Sequence, residues 1–426
     1  MSPRIREVRA RQIWDSRARP TVEVDVVLDT GQVGRGIAPA GASRGIREAS
    51  DLRDGGSAFG GLGVSRAIGN VTTLLAPALC GQRVDEPGSL DALIRASDVS
   101  ANKAVLGGNA ATATSLAVWQ AAAAAAGVPL WQYLAAGDTV AMPMPQVQIF
   151  GGGAHAARRI DIQDLLVVPL SAGSMSEALA MVADVYRAAG SIMTERGRTA
   201  GTAEEGGWWP AFDSNEEALG TLTAAIERAG LRPRDEVGIA LDIAASEFAV
   251  DQGYRLGLEG RQLDRSAWIA QLDQWLARFP IVSLEDPLGQ EDEAGWVAFG
   301  PQRRQRLQII GDDYLVTSAD RIHAASQAGT CNAVLIKVNQ RGTVSEALAA
   351  IRAARLAGFA TIVSARSGES EDTAIAHLAV GWNAGQIKVG SITRGERTAK
   401  WNELLRIEES LGRGAVWAGR AVLGSR

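Results

Sequence analysis

Six short apolar segments in the second half of the chain each end at, or beside, a charged residue. Amphipathic stretches such as SAWIAQLDQWLARF lie between them, and their apolar residues recur at helical spacing. Alternating strands and helices predict a parallel sheet, and charged residues at the C-terminal tips of the strands favour a (β/α)8 barrel over an open doubly wound sheet. The segments are VGIALD, IVSLED, LQIIGDD, AVLIKVN, TIVSARS and QIKVG, and their charged residues are Asp242, Glu285, Asp312, Lys337, Arg366 and Lys388.

The N-terminal part of the chain follows a different pattern. Its first forty residues alternate polar and apolar positions between Asp, Gly and Pro, which predicts an antiparallel meander. Helical periodicity then runs from Gly45 to Leu134, and the alanine-rich stretch Asn109 to Trp131 within it is typical of a closely packed core helix rather than a membrane span. A change of pattern near Asp138 predicts an α+β domain over 1–138 and a barrel domain over 139–426.

The overall composition excludes several classes of partner. Hydrophobic residues make up 46% of the chain and charged residues 21%, with a formal net charge of -5, so neither nucleic acid nor a membrane is expected as a partner. The chain has only two cysteines, Cys80 and Cys331, and an N-terminal sequence without the apolar core of a signal peptide. These features predict a cytoplasmic protein in a reducing compartment.

Three carboxylates at strand ends indicate a metal site. Asp242, Glu285 and Asp312 would repel one another strongly at one barrel mouth unless a cation lay among them. Ligands that are all oxygen, with no histidine or cysteine beside them, favour Mg²⁺ over Zn²⁺. The alternative is that each carboxylate caps a helix or pairs with an arginine, which is reasonable for one of them and poor for all three together.

Two lysines end further strands at the same mouth. Beside a divalent cation a lysine can have its pKa lowered enough to act as a base, and we favour that interpretation for Lys337. For Lys388 a base and a contact to a substrate carboxylate are equally reasonable. An ion pair with a carboxylate is the alternative for both residues.

Three loops contain further candidates for the site. Glu204 and Glu205 lie between glycines and tryptophans, where a carboxylic acid in a partly apolar loop could stay protonated, although adjacent acids are usually solvated. The glycine-containing loops at Pro39 to Gly45 and Phe150 to His155 could close over a ligand. Neither loop matches a phosphate-binding P-loop or a dinucleotide fingerprint.

Taken together, these motifs resemble enolase over nearly the full length of the chain. They are ARQIWDSR with PTVEVDV, GGAHA followed by DIQ, SNEEAL, IALDIAASEF, SLEDPL, GDDYLVT, LIKVNQ, RSGESEDT, NAGQIK and LLRIEE. The resemblance implies an α/β fold in which a small N-terminal α+β domain accompanies a modified (β/α)8 barrel whose second strand is antiparallel. It also implies a homodimer and a Mg²⁺-dependent elimination of water from 2-phosphoglycerate, with a lysine base.

The resemblance assigns roles to individual residues. Asp242, Glu285 and Asp312 match the ligands of a first Mg²⁺, and Ser43 matches a loop residue that reaches a second Mg²⁺ bound with substrate. Lys337 matches the base. The remaining matches are Glu205 as the general acid, Lys388 near the substrate carboxylate, Arg366 and Ser367 as the phosphate-binding pair, and His155 and Gln163 as further active-site residues.

The sequence departs from the family pattern around the expected phosphate. Ala365 replaces a histidine, and Arg44 introduces a positive charge next to Ser43. Glu204 and Asp164 occupy positions where the family has aspartate and glutamate, beside Glu205 and Gln163, and we count both among the catalytic candidates. Arg158 and Arg159 stand where asparagines are common, and the sequence assigns them no role.

The departures suggest a substrate whose oxyanion is larger and more negative than phosphate. A glycerate that carries a phosphonoformyl group on its 2-oxygen fits, because the extra carboxylate needs space and a cation, and the product would be carboxyphosphonoenolpyruvate of the phosphonate antibiotic pathways. Two alternatives stay open. One is a glycolytic enolase that tolerates these replacements, and the other is a non-catalytic binding protein, which the retained catalytic residues disfavour.

Overall fold

A computed structural model describes residues 2–424 of the chain. The N-terminal region begins with the antiparallel meander expected from the sequence, in which Pro20–Leu28 pairs with Ile5–Trp14 on one side and Val33–Ile37 on the other. Its α-helices are Ser65–Asn70, Ala76–Leu79, Pro87–Ala96, Gly108–Ala126 and Leu130–Ala135, with a π-helical turn at Val71–Leu75. The predicted domain ranges 1–138 and 139–426 include three residues outside the described part of the chain, Met1, Ser425 and Arg426. The division at Asp138 stays a prediction.

The helical prediction for the segment that follows the meander is wrong at its start. Residues 45–64, all of them described, contain a 3-10 turn at Ala58–Gly61 and no α-helix. Glycines in this stretch, Gly55, Gly56, Gly60 and Gly61, adopt positive φ angles of 63 to 83°, which are incompatible with a right-handed helix. The segment is therefore a loop rather than a helix.

The alanine-rich helix is buried, as its composition predicts. Gly108–Ala126 lies against the third strand of the meander, and the small side chains on both elements allow their backbones to approach closely. A Cβ atom added to Gly34 on that strand would lie 2.2 Å from the carbonyl oxygen of Ala117 and 2.2 Å from the amide nitrogen of Ala121. Only a residue without a side chain fits this contact, so the alanines and the glycine form one packing unit.

We expect the substitution Gly34→Ala to lower the free energy of unfolding by about 3 kcal/mol, because the added methyl group meets backbone atoms that cannot move aside cheaply. The matched control is Gly69→Ala, a helical position with open space around the added carbon, which should be neutral or stabilising by about 0.5–1 kcal/mol. Urea denaturation of both variants measures the difference. Equal stability of the two variants would contradict the close packing.

The C-terminal region forms a closed barrel of eight strands. In chain order these barrel strands are Met144–Gly151, Asp164–Pro169, Val237–Asp242, Ile281–Glu285, Gln308–Gly311, Ala333–Ile336, Ala360–Ser364 and Gly385–Gly390. The second runs antiparallel to the first and the third, whereas the other neighbours are parallel. The segment between the first two strands, residues 152–163, contains a 3-10 turn at Gly153–Ala156 and no α-helix, so it lacks the helical crossover that usually joins parallel strands.

Helices surround the barrel. Most of them start at a Ser, Thr or Asp whose side chain accepts a hydrogen bond from a backbone N–H of the first turn, as at Ser174, Ser214 and Thr343. A small antiparallel hairpin region with strands Ala249–Val250, Gly253–Leu256 and Arg261–Asp264 precedes the fourth barrel strand. The outer helices are Met175–Glu195, Asn215–Arg228, Arg265–Arg278, Glu293–Arg303, Ala319–Ala328, Val338–Arg341, Val344–Leu356, Ala374–Gly381 and Gly395–Leu411. Within residues 2–424, helices long and apolar enough to cross a membrane are absent.

Candidate active site

The barrel brings acidic residues from neighbouring strands to one end. Glu285 ends the fourth strand directly beside Asp242, which ends the third. Asp164 also faces Asp242, although it begins the second strand, because that strand runs in the opposite direction. Asp312 follows the fifth strand at the same end. The reversed strand therefore contributes its first residue where the other strands contribute their last.

Two lysines hold these carboxylates together. The Lys388 ammonium lies 2.8 Å from Asp242 Oδ2, 2.7 Å from Glu285 Oε2 and 3.5 Å from Asp164 Oδ2. Lys337 forms a close ion pair with Asp312. Burial alone would lower the pKa of each lysine, but the carboxylates outweigh it and raise both pKa values. The ion pairs that the sequence left open as an alternative are thus present, and the pKa of Lys337 moves opposite to the expected direction because Asp312 stabilises its charged form.

The carboxylate cluster fits a hard divalent cation. Asp242 Oδ1, Glu285 Oε1 and the side-chain oxygen of Gln163 are buried and accept no hydrogen bond from any described residue. Burial, followed by the charge of Asp242, raises the pKa of Glu285 well above its ordinary value, which shows how poorly solvated the group is. Buried oxygens without partners are the atoms that a bound Mg²⁺ would satisfy.

His155 connects the acidic cluster to the loop after the seventh strand. Its Nδ1 lies 2.9 Å from Asp164 Oδ1 and its Nε2 lies 3.1 Å from Ser367 Oγ, with Glu205 Oε1 at 3.6 Å. Burial would lower the pKa of His155, but Asp164 and Glu205 together raise it to about 9. The ligand atoms of His155, Asp164 and Glu205 lie within 4.8 Å of one another, but because Asp164 already bonds to His155 we assign the three to a hydrogen-bond network rather than to a metal.

We expect the stability that His155 contributes to depend on pH. Its pKa is about 9 in the folded protein and about 6.5 in the unfolded chain, so the contribution is fully present below pH ~6.5 and is lost as the pH rises through ~9. The difference in the free energy of unfolding between the wild type and His155→Gln, measured by denaturation, should be about 3 kcal/mol larger at pH 6 than at pH 9.5.

A histidine elsewhere in the barrel supplies the control. Burial lowers the pKa of His377 despite Glu403 at 3.2 Å, so its contribution is present at high pH and is lost as the pH falls through its folded pKa. The stability difference between the wild type and His377→Gln should therefore change in the opposite direction with pH. The same trend in both variants would contradict a charged His155.

Arg366 is fixed mainly by two residues that the sequence did not single out, Glu48 and Asn339. Its guanidinium forms a two-point ion pair with Glu48, at 2.9 and 3.2 Å, and donates to Asn339 Oδ1 at 3.1 Å and to the Ser43 carbonyl at 3.1 Å. Gln340 bridges Glu48 Oε1 at 3.2 Å and Asp312 Oδ1 at 2.8 Å. A single network therefore joins the expected anion site to the expected metal site. The only sequence signal for Glu48 is its position three residues after the glycine loop.

The loop Pro39–Gly45 lies closed over the site. Ala40 and Gly368 exchange backbone hydrogen bonds of 2.9 and 2.8 Å, and the Ala42 N–H donates to Ser367 Oγ at 3.1 Å. The cavity beneath it has a volume of about 20 Å³, roughly the space of one water molecule. A ligand of several atoms enters only if this loop moves. The predicted residues that line the cavity are Ser43, His155, Gln163, Asp164, Glu205, Asp242, Lys337, Ala365, Arg366, Ser367 and Lys388.

Some predicted residues lie apart from the cavity wall. Glu285 and Asp312 adjoin it through their lysine partners. Glu204 instead has its carboxylate 2.9 Å from Arg17 Nε. Arg44 is half exposed and its nearest carboxylate is Asp51, at 3.8 Å, so the positive charge expected beside the anion is directed elsewhere in this conformation.

The two arginines without an assigned role also point away from the site. Arg158 pairs with Glu247 at 2.9 Å, and Arg159 lies 3.9 Å from Asp213. Ala365 does lie in the cavity wall, where its N–H donates to the Lys388 carbonyl at 2.8 Å. Of the departures from the family pattern, Ala365 and Asp164 lie in the cavity wall, and Ala365 is the one beside the expected anion-binding pair.

Comparison with known proteins decides the family. The profile described as "Enolase, N-terminal domain" matches residues 5–134, and "Enolase, C-terminal TIM barrel domain" matches residues 139–425. The chain belongs to the enolase family. "Enolase 1" of Desulfitobacterium hafniense (strain Y51) is 47% identical over 422 residues, which cover 98% of this chain and 97% of that protein.

Membership of the enolase family fixes the coarse chemistry. The chain is an enolase-like carbon–oxygen lyase of the hydro-lyase type, from a family that depends on Mg²⁺. The predicted fold is confirmed, including the reversed second strand. The specialised phosphonate substrate finds no support in these comparisons, which fit the glycolytic alternative better.

Proposed function

We propose that the protein dehydrates 2-phosphoglycerate to phosphoenolpyruvate with the help of Mg²⁺. The observation that carries this proposal is a single cavity with two kinds of group in its wall. One is the amine of Lys337, which is paired with Asp312, and the other is the carboxyl group of Glu205, which lies beside the imidazolium of His155. An elimination needs a base for the proton next to the substrate carboxylate and an acid for the departing hydroxide. Both kinds of group border the same space.

The metal would be held by Asp242, Glu285 and Asp312, with Ser43 available for a second ion that binds with substrate. Held there, Mg²⁺ would supply positive charge that favours loss of the proton next to the substrate carboxylate. Asp312, once shared with a divalent cation, would attract the Lys337 proton less strongly, and the pKa of Lys337 would fall from its raised value. Lys337 could then accept the substrate proton.

The other residues bind and orient the substrate in this proposal. Arg366 and Ser367 hold the phosphate, and Lys388 contacts the substrate carboxylate. Glu205 donates its proton to the leaving hydroxide, while His155, Gln163 and Asp164 position the groups around it through their hydrogen bonds. Glu204 has no direct part in the proposed reaction, because its carboxylate forms an ion pair with Arg17 at 2.9 Å.

A second substrate is supported by one specific observation. Ala365 lies in the cavity wall where the family has a histidine, which leaves space beside Arg366 and Ser367 for a larger oxyanion such as a phosphonoformyl group. The outward position of Arg44 removes the other argument for that substrate. The 47% identity to a protein described as Enolase 1 favours plain 2-phosphoglycerate.

The decisive experiment measures enolpyruvate formation by the Mg²⁺-loaded protein on 2-phosphoglycerate and on the 2-phosphonoformyl glycerate, side by side. We expect efficient turnover of 2-phosphoglycerate. A strong preference for the larger substrate, reduced in the double variant with Arg44→Thr and Ala365→His, would overturn the proposal in favour of the specialised enzyme. Absence of turnover on both would favour a non-catalytic protein.

A homodimer in the cytoplasm belongs to the same proposal. It is supported by the family and by two free cysteines, the exposed Cys80 and the buried Cys331. Light scattering of the purified protein tests the oligomeric state, and a mass close to 44.7 kDa would contradict the dimer.

A further inference from the structure

Arg397 is a fully buried arginine that the proposed reaction does not use. It lies in the first turn of the helix Gly395–Leu411 and has no exposed surface. Its Nη1 donates to the carbonyl oxygens of Arg366 at 2.7 Å and Val389 at 2.9 Å, and its Nη2 donates to the carbonyl of Ser367. One guanidinium therefore binds the backbone of both residues that are expected to hold the phosphate.

The partners of this guanidinium are unusual for a buried charge. The nearest carboxylate is Glu396, whose Oε1 lies 3.7 Å from Arg397 Nε, and across the described chain that Nε donates no hydrogen bond. Burying a cation against neutral carbonyls is costly, and a neutral side chain would avoid most of that cost. A role in holding the backbone accounts for a charge kept in this place.

The contacts also connect two strand ends. Val389 follows Lys388, which bridges the acidic cluster, whereas Arg366 and Ser367 follow the seventh strand. Because Arg397 binds carbonyls from both segments, it fixes the distance between the lysine at the metal site and the anion-binding pair. Its planar group, with several N–H donors in a fixed geometry, is suited to hold three carbonyls at once.

We propose that Arg397 is a positioning residue that sets the affinity of the site for the phosphate group of the substrate. It does so by holding the carbonyls of Arg366 and Ser367, which aims the Arg366 guanidinium and Ser367 Oγ into the cavity, and by adding positive charge behind them. This inference rests on the proposed function, because it takes those two residues as the phosphate site.

A second buried cation on the same helix provides a matched control. Lys400 is also fully buried and donates to the Ser370 carbonyl at 2.6 Å, with Glu369 Oε2 at 3.0 Å. It braces the same loop beyond the anion-binding pair. Lys400→Met therefore removes a buried charge and a loop contact while leaving the carbonyls of Arg366 and Ser367 untouched; it reaches Arg366 only through Glu369, whose Oε1 accepts the Arg366 N–H at 3.0 Å.

The experiment compares Arg397→Lys, Arg397→Gln and Lys400→Met in the full-length protein with Mg²⁺. Dissociation constants for inorganic phosphate are measured by calorimetry, KM and kcat for 2-phosphoglycerate by assay, and stability by thermal unfolding. We expect both Arg397 variants to bind phosphate about ten- to a hundredfold more weakly and to raise KM by a similar factor, the range typical of groups that orient a ligand-binding residue. Their kcat at saturating substrate should change much less, and Lys400→Met should lose stability while binding phosphate normally.

Each outcome decides the inference. If phosphate affinity is unchanged in the Arg397 variant that folds, or falls equally in Lys400→Met, Arg397 is a structural residue only. The wild-type assay tests the proposed function separately. If the wild type turns over 2-phosphoglycerate while the Arg397 variants bind phosphate with unaltered affinity, the inference is refuted and the proposed function stands. Weaker phosphate binding in the Arg397 variants supports the inference even where the wild type does not turn over 2-phosphoglycerate.

Discussion

Replacing Lys337 by alanine should lower kcat on 2-phosphoglycerate by about 10²- to 10⁴-fold, the contribution typical of a well-placed general base. It should also abolish exchange of the substrate proton beside the carboxylate with solvent deuterium, because no other amine borders the cavity except Lys388, which the described chain places in three ion pairs. Proton exchange followed by NMR, together with the assay of product formation, measures both effects.

The variant Glu205→Gln separates the two halves of the reaction. A glutamine keeps the size of the side chain but cannot donate the acidic proton to the leaving hydroxide, so product formation should fall by about 10²- to 10⁴-fold. Exchange of the substrate proton should continue, because Lys337 and its partner Asp312 are untouched. If Lys337→Ala retained exchange while Glu205→Gln lost it, the two assignments would have to be interchanged.

Strand ends were the part of the site that could be predicted from the sequence. A parallel barrel places the C-terminal ends of its strands at one mouth, so a charged residue after each apolar run is located once the fold is recognised. Asp242, Glu285 and Lys388 lie together for that reason. Asp242 and Glu285 are paired in register on neighbouring strands, and Lys388 contacts both carboxylates. The resemblance to a family then supplied the roles that spacing alone left open.

Contacts between distant segments could not be predicted in the same way. The pairing of Glu48 with Arg366 joins residues far apart in the chain, and no local pattern distinguishes a buried glutamate from a solvated one. The direction of a side chain on a loop is equally undetermined by sequence, and Arg44 illustrates this, since it lies next to Ser43 yet extends towards Asp51. The helical expectation for residues 45–64 is wrong because glycines in this stretch adopt positive φ angles that interrupt the helical periodicity.

Replacing Lys388 by methionine should lower the free energy of unfolding by about 3–5 kcal/mol in the absence of Mg²⁺, the cost typical of leaving a buried charge without its partner. Methionine fills a similar volume, so the loss is electrostatic rather than a packing defect. The ammonium that it removes lies between Asp242 and Glu285, at 2.8 and 2.7 Å, and both carboxylates are buried. Urea denaturation after treatment with a chelator measures the loss.

Lys103→Met is the matched control, because Lys103 forms one ion pair, 3.0 Å from Glu346, away from the acidic cluster. Saturating Mg²⁺ should stabilise Lys388→Met more than it stabilises the wild type, because a divalent cation can satisfy the carboxylates that the missing ammonium leaves uncompensated. It should stabilise Lys103→Met by the same amount as the wild type. Equal gains from Mg²⁺ in all three proteins would mean that the ion binds elsewhere. A larger gain confined to Lys388→Met would locate it among Asp242 and Glu285, since these are the carboxylates that the substitution releases.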